Sequence, residues 1–151
     1  MENITCPSLF RRLAAALYDI LLVLPLIMVT VALATGLQLA IGNAPGGEDF
    51  QNTLHPQLVQ LLALLITAAF FSCFWLLKGQ TLGMQAWRIR LCSFDGSPVT
   101  LKQCLLRCAG ALVSLLPAGA GYLWCLIDRR GRYWHDYWSK TELQLLPKRK
   151  H

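Results

Sequence analysis

Asp19 is the one formal charge in the apolar run from Leu13 to Ile41, and that position makes it the residue with the most chemistry to offer. A carboxylate near the centre of a membrane helix costs roughly 2.5 to 3.5 kcal/mol on insertion scales, so something must offset the cost. Two offsets are open. The carboxylate can pair with a basic residue and lock helix packing, or it can bind a cation or proton in transit. Arg12, seven residues earlier, is the first candidate partner, two helical turns and about 10.5 Å away along one face. Arg107 and Arg130 come next, because either could approach from another segment. Ala15 and Ala16 lie between Arg12 and Asp19, and such small residues let a second segment come close.

A second group of reactive types is the run from Asp128 to Trp138, which holds Arg129, Arg130, Arg132, His135 and Asp136 among four aromatic residues. His135 beside Asp136 has the types of a proton relay, since histidine titrates near neutrality. The plainer expectation is that the aromatic and charged side chains anchor the tail at headgroup depth. No nucleophile stands with a base and an orienting group, so no enzyme is expected. His55, His135 and His151 are too scattered for a metal site, and the sequence calls for no cofactor. The six cysteines include no CxxC pair, which argues against a zinc or disulfide framework, and Cys104, Cys108 and Cys125 are expected to stay reduced.

The elements that must position these residues are long and apolar. In 151 residues, 55% are hydrophobic and only 15% charged, with a mean hydropathy of +0.45, and the charges are segregated outside the apolar runs. Three apolar segments stand out, at about residues 13–41, 58–77 and 105–127, the last with its apolar core from Cys108 to Ile127. Each of the first two can cross a bilayer, which needs about 20 helical residues. The first is too long for a signal-peptide core and contains an acid, so it is expected to stay uncleaved. Pro25 should kink it. Gly42 to Pro56 has Glu48 and Asp49 but no Lys or Arg and reads as an outer loop.

Between the second and third segments the character turns basic, with Lys78, Arg88, Arg90, Lys102 and Arg107. Positive charge favours the cytoplasmic side, which with Arg11 and Arg12 puts the N-terminus inside. The period-two stretch Trp87-Arg88-Ile89-Arg90-Leu91, followed by Phe94-Asp95-Gly96-Ser97-Pro98, predicts a short strand entering a turn. Thr141 to Leu146 alternates in part and could pair with it. The third run is broken at Pro117-Ala118-Gly119-Ala120-Gly121 and is followed by the basic residues Arg129, Arg130, Arg132 and Lys148 to Lys150. The expectation is two short helices folding back there, leaving the C-terminus cytoplasmic, with a single crossing as the alternative. The fold class expected is therefore an all-α integral membrane bundle with a small cytoplasmic β-like pairing, in one domain over residues 1–151. The net charge of +6 lies beside apolar segments, where it faces lipid headgroups, so the bilayer and not nucleic acid is the expected partner.

Three motifs in order resemble the RDD family of bacterial membrane domains: Arg12-Leu-Ala-Ala-Ala-Leu-Tyr-Asp19, Lys78-Gly-Gln-Thr-Leu-Gly83, and Asp128-Arg-Arg with His135-Asp136. The resemblance spans about residues 8 to 146. It puts the signature Arg on Arg12, the first Asp on Asp19, and the later Asp on Asp136, with Asp128 close by. Met84 and Gln85 stand where the family's middle motif often continues with Lys. What the resemblance implies is an inner-membrane, multi-pass protein. Cation and proton antiport has been suggested for members of the family. Size argues against a lone transporter, since three or four crossings can hardly enclose a polar path. The expected role is a non-catalytic scaffold or assembly component, and the alternative is cation or proton transport through Asp19. A homo-oligomer or another membrane protein would be the partner, and Ala32, Gly36 and Ala40 offer a small-residue stripe for helix association.

Overall fold

The computed structural model describes residues 6–40, 54–117 and 119–147. Most of the Gly42 to Pro56 loop and the Lys148 to Lys150 cluster lie outside the described residues. Among the described residues two helices are long and apolar enough to cross a membrane: α1 over Leu9–Ala40 and α2 over Pro56–Lys78. Neither is amphipathic, because leucine and its like occur all round, which is the pattern of a helix whose solvent is lipid. Pro25 sits inside α1 and the helix runs on through it. Pro56 opens α2, where a missing N–H costs nothing, and Lys78 closes it, where its charge meets the helix dipole.

The chain divides into two compact units, residues 20–70 and a second made of the residues up to Asp19 together with those from Phe71 onward. In the first, side chains such as Leu24, Met28, Leu33 and Leu61 are exposed. Its Thr30 and Thr67 hydroxyls donate to Leu26 and Ala63 carbonyls four residues back, so neither hydroxyl hydrogen is left facing hydrocarbon. The Ala32, Gly36, Ala40 stripe is exposed, with no atom near Gly36.

The second unit holds the remaining elements: α3 (Leu82–Ala86), β1 (Ile89–Ser93), α4 (Leu101–Leu115), α5 (Ala120–Leu123) with a 3-10 turn at Trp124–Leu126, α6 (Trp134–Ser139) and β2 (Thr141–Leu145). The two expected strands form one antiparallel pair in which Ile89 faces Leu145 and Ser93 faces Thr141. The first begins two residues later than its alternation predicts: Trp87 is spent on the end of α3, and Arg88, whose carbonyl already accepts from the Leu146 N–H, has a left-handed φ of 56°. Ile89 and Leu91 point inward with 1% exposure each, while Arg90 is exposed. They build a small core with Ala15, Met84, Val99 and Cys104, against which Trp75, Trp87 and Leu143 pack.

The helix of the third apolar run starts at Leu101, earlier than hydrophobicity alone suggests. A reciprocal cap sets that start: Thr100 accepts from the Gln103 backbone N–H at 3.4 Å, and the Gln103 side chain accepts from the Thr100 N–H at 2.9 Å. Helix α4 ends at Leu115, and the helical pair that follows is turned by 108° from it. Gly110 lets α6 lie against α4, since an added Cβ would stand 2.9 Å from the His135 Cβ. Cys104 is buried, and Cys108 and Cys125 are half-buried.

Candidate functional site

The polar residues singled out by sequence gather in the second unit, at the start of α1 and around α4 and α6. Asp19 is 2% exposed, and both its oxygens are engaged. The Thr81 hydroxyl donates to Oδ2 at 2.5 Å, and the Gly83 backbone N–H donates to Oδ1 at 2.9 Å. Thr81 is itself the N-cap of α3, accepting from the Met84 N–H at 3.2 Å. Asp19 therefore fastens α1 to the first turn of α3. Gly83 makes the approach feasible, because a Cβ there would run into the Ala15 carbonyl and stand 2.9 Å from Asp19 Oδ1. Ala15 is buried at this contact, whereas Ala16 is exposed.

This differs from the expected ion pair. Among the described residues, no Arg or Lys forms a salt bridge with Asp19, and the donors that compensate it are a hydroxyl and a main-chain amide. The reason is local. The guanidinium groups of Arg12 and Arg107 are engaged elsewhere, that of Arg130 is on the surface, and the close approach at Gly83 brings N–H and O–H groups to the carboxylate. Arg12 donates from Nε to the Pro7 carbonyl at 3.0 Å and from Nη2 to the Cys6 sulfur at 2.7 Å, and its guanidinium lies over the Tyr133 ring, 4.8 Å from the centroid. Arg130 is exposed, and its N–H donates to Asp128 Oδ2 at 3.2 Å.

Arg107 is the partner of Asp136. The pair is buried, with side-chain exposures of 6% and 1%, and Nη1 donates both to Asp136 Oδ1 and, at 2.8 Å, to the Thr141 hydroxyl. The other Asp136 oxygen accepts from the Tyr133 N–H at 2.8 Å, so one carboxylate neutralises α4 and caps α6. The guanidinium also faces the Trp75 ring, 5.5 Å from its centroid. Ser139 completes the cluster: its hydroxyl donates to the His135 carbonyl at 2.6 Å and shares a 2.7 Å hydrogen bond with Thr141.

His135 is 4% exposed and stacks on Tyr133 with 5.1 Å between ring centroids. Its Nε2 is 3.7 Å from Asp136 Oδ1, beyond hydrogen-bond reach, and Nδ1 lies 3.4 Å from the Ser114 hydroxyl. Burial first, then the positive charge of Arg107 and Arg12, pushes its pKa from 6.5 down to about 2. The ring packs against Tyr122 and Tyr133, and its distance to the Asp136 carboxylate is longer than the hydrogen bond a relay would use. Asp128 is partly exposed and shapes a turn: Oδ2 accepts from the Arg132 N–H at 2.8 Å, and Oδ1 accepts from the Tyr137 hydroxyl at 2.8 Å. Slight desolvation opposes ionisation there, but the Arg132, Tyr137 and Arg130 hydrogen bonds win and hold the carboxyl below its ordinary range.

Sequence reasoning did not single out Thr81, Gly83, Thr141, Ser139 or the Arg132–Glu142 ion pair as site residues. Thr81 and Gly83 lie inside the middle motif, so the signal was present in spacing but not in charge. Among the described residues no cluster of His, Cys, Asp and Glu is arranged to hold a metal.

The sequence profile described as RDD family matches residues 6–140, nearly the whole chain. No significant match is found among curated proteins or solved structures.

Proposed function

The chain belongs to the RDD family, and from that membership we propose that it is a multi-pass inner-membrane protein acting as a non-catalytic scaffold or assembly component. In this reading its signature residues hold a polar cap on the cytoplasmic end of its helices. The observation that carries the reading is the internal engagement of those residues. Asp19 joins α1 to α3, Asp136 joins α4 to α6, and Arg12 joins the start of α1 to Tyr133. A carboxylate whose two oxygens already take short hydrogen bonds from protein donors is suited to specifying packing. The 108° turn after α4 supports a third segment that folds back, which together with Arg129, Arg130 and Arg132 supports a cytoplasmic C-terminus. A C-terminal alkaline phosphatase fusion should therefore be inactive, and activity in the periplasm would refute that orientation.

One observation favours the alternative of cation or proton transport: among the described residues, Asp19 is a buried carboxylate with no cationic partner. The two readings part at Asp19→Asn and Asp19→Leu. Asparagine can still accept from the Gly83 N–H, so the scaffold reading expects Asp19→Asn to accumulate in the membrane. Asp19→Leu should be lost, because it strands that N–H. Reconstituted wild type should carry no ion flux above empty vesicles. The scaffold reading fails if wild type supports a flux that a fully accumulated Asp19→Asn abolishes.

A further inference from the structure

A cleft of about 620 Å³ opens beside the start of α1, lined by Arg12, Arg129, Arg130 and Arg132 together with three carboxylates. The charges do not cancel. Asp136 is already neutralised by Arg107, and Glu142 by Arg132. That leaves Arg12, Arg129 and Arg130 against Asp128 alone.

Arg12 is the decisive member. It is 7% exposed, yet among the described residues it has no carboxylate within ion-pair distance. A guanidinium that is more than nine-tenths buried without a counter-charge is costly, and a bound anion would supply what the protein omits. The fork geometry of guanidinium suits phosphate oxygens in particular. The first turn of α1, which contains no acidic residue, adds its dipole at the same end.

We propose that this cleft binds the phosphate of an acidic phospholipid headgroup. Lipid is favoured over a soluble phosphate by what flanks the arginines. Leu126 and Ile127, with exposures of 64% and 76%, immediately precede Asp128 of the cleft lining. Acyl chains leaving a headgroup in the cleft would meet these exposed apolar side chains. A zwitterionic choline headgroup is a poor ligand, since its ammonium would face the same arginines. This site goes beyond the scaffold reading and does not depend on it.

The test uses the full chain in a neutral detergent, titrated with phosphatidylglycerol, phosphatidylcholine or inorganic phosphate and weighed by native mass spectrometry. The expected result is one phosphatidylglycerol retained per chain, at a concentration at least tenfold below that needed for phosphatidylcholine. Arg129→Gln with Arg130→Gln, both exposed, should weaken that retention about twenty-fivefold, at about fivefold per basic side chain near an anionic surface. Lys102→Gln, an exposed basic residue outside the cleft lining, should leave it within twofold. Equal retention of the two lipids, or an equal loss in the Lys102 variant, overturns the site. Displacement of phosphatidylglycerol by an equal concentration of inorganic phosphate overturns the lipid as its source.

Discussion

Replacing Asp136 by asparagine keeps the shape of the side chain and removes its charge, leaving the Arg107 guanidinium buried without compensation. Breaking a buried pair from one side costs about 3 to 5 kcal/mol, well above the roughly 1 kcal/mol of a helix cap. The cap at the Tyr133 N–H survives, because the amide oxygen can still accept there. At about 1.4 kcal/mol per factor of ten, the population in which α6 and β2 detach should rise from about 150-fold to several-thousand-fold. Hydrogen exchange over Thr141–Leu145, whose strand pairs with β1, reads that opening directly as lost protection. A matched apolar pair, Arg107→Met with Asp136→Leu, should restore most of it, since well-packed apolar residues often replace a buried ion pair without loss. Thr141 would keep its hydrogen bond to Ser139, while the Tyr133 cap and the guanidinium contact with Trp75 would be missing. The reasoning fails if Asp136→Asn lowers protection less than tenfold, or if the double variant is no better protected than the single.

Gly83→Ala should cost about 1 to 3 kcal/mol by overpacking against the Ala15 carbonyl and Asp19, and be read as a lower melting temperature in detergent; unchanged melting would refute the close approach. His135 carries a pH dependence of definite sign. Its folded pKa of about 2 lies below the unfolded 6.5, so its contribution is fully present above pH 6.5 and is lost as pH falls toward 2. Between pH 7.5 and pH 5 the wild type should lose about 2 kcal/mol more than His135→Phe, and equal pH profiles for the two proteins would contradict a buried neutral ring.

The long elements were legible because lipid selects on composition alone: nothing in α1 or α2 needs a partner to be recognised. The β1–β2 pairing was legible too, from alternation at Trp87 to Leu91 and Thr141 to Leu146, although the left-handed residue at Arg88 leaves no trace in hydrophobicity. The Asp19 partner was not. A search for opposite charge passes over a threonine hydroxyl and a glycine amide 62 and 64 residues away, and only the spacing of the middle motif hints at them. Arg107 was noticed but matched to the wrong acid, because distance along the chain says nothing of a path that turns by 108° after α4 before it reaches α6. The start of α4 was readable in principle from Thr100 and Gln103, a capping pair overshadowed by the apolar run that follows.

The Arg107–Asp136 pair also sets a timetable. The two residues are 29 positions apart, so at about 5 to 20 residues per second a ribosome delivers the arginine roughly 1.5 to 6 s before its acid. Through that interval the inner face of α4 carries a cation with nowhere to bury it, while the first two apolar helices are already made and can enter the bilayer. Closure of the polar unit therefore waits on nearly the last structured stretch to be synthesised. Membrane insertion and the sealing of the cap become separate events in time, ordered by the position of one aspartate in the gene.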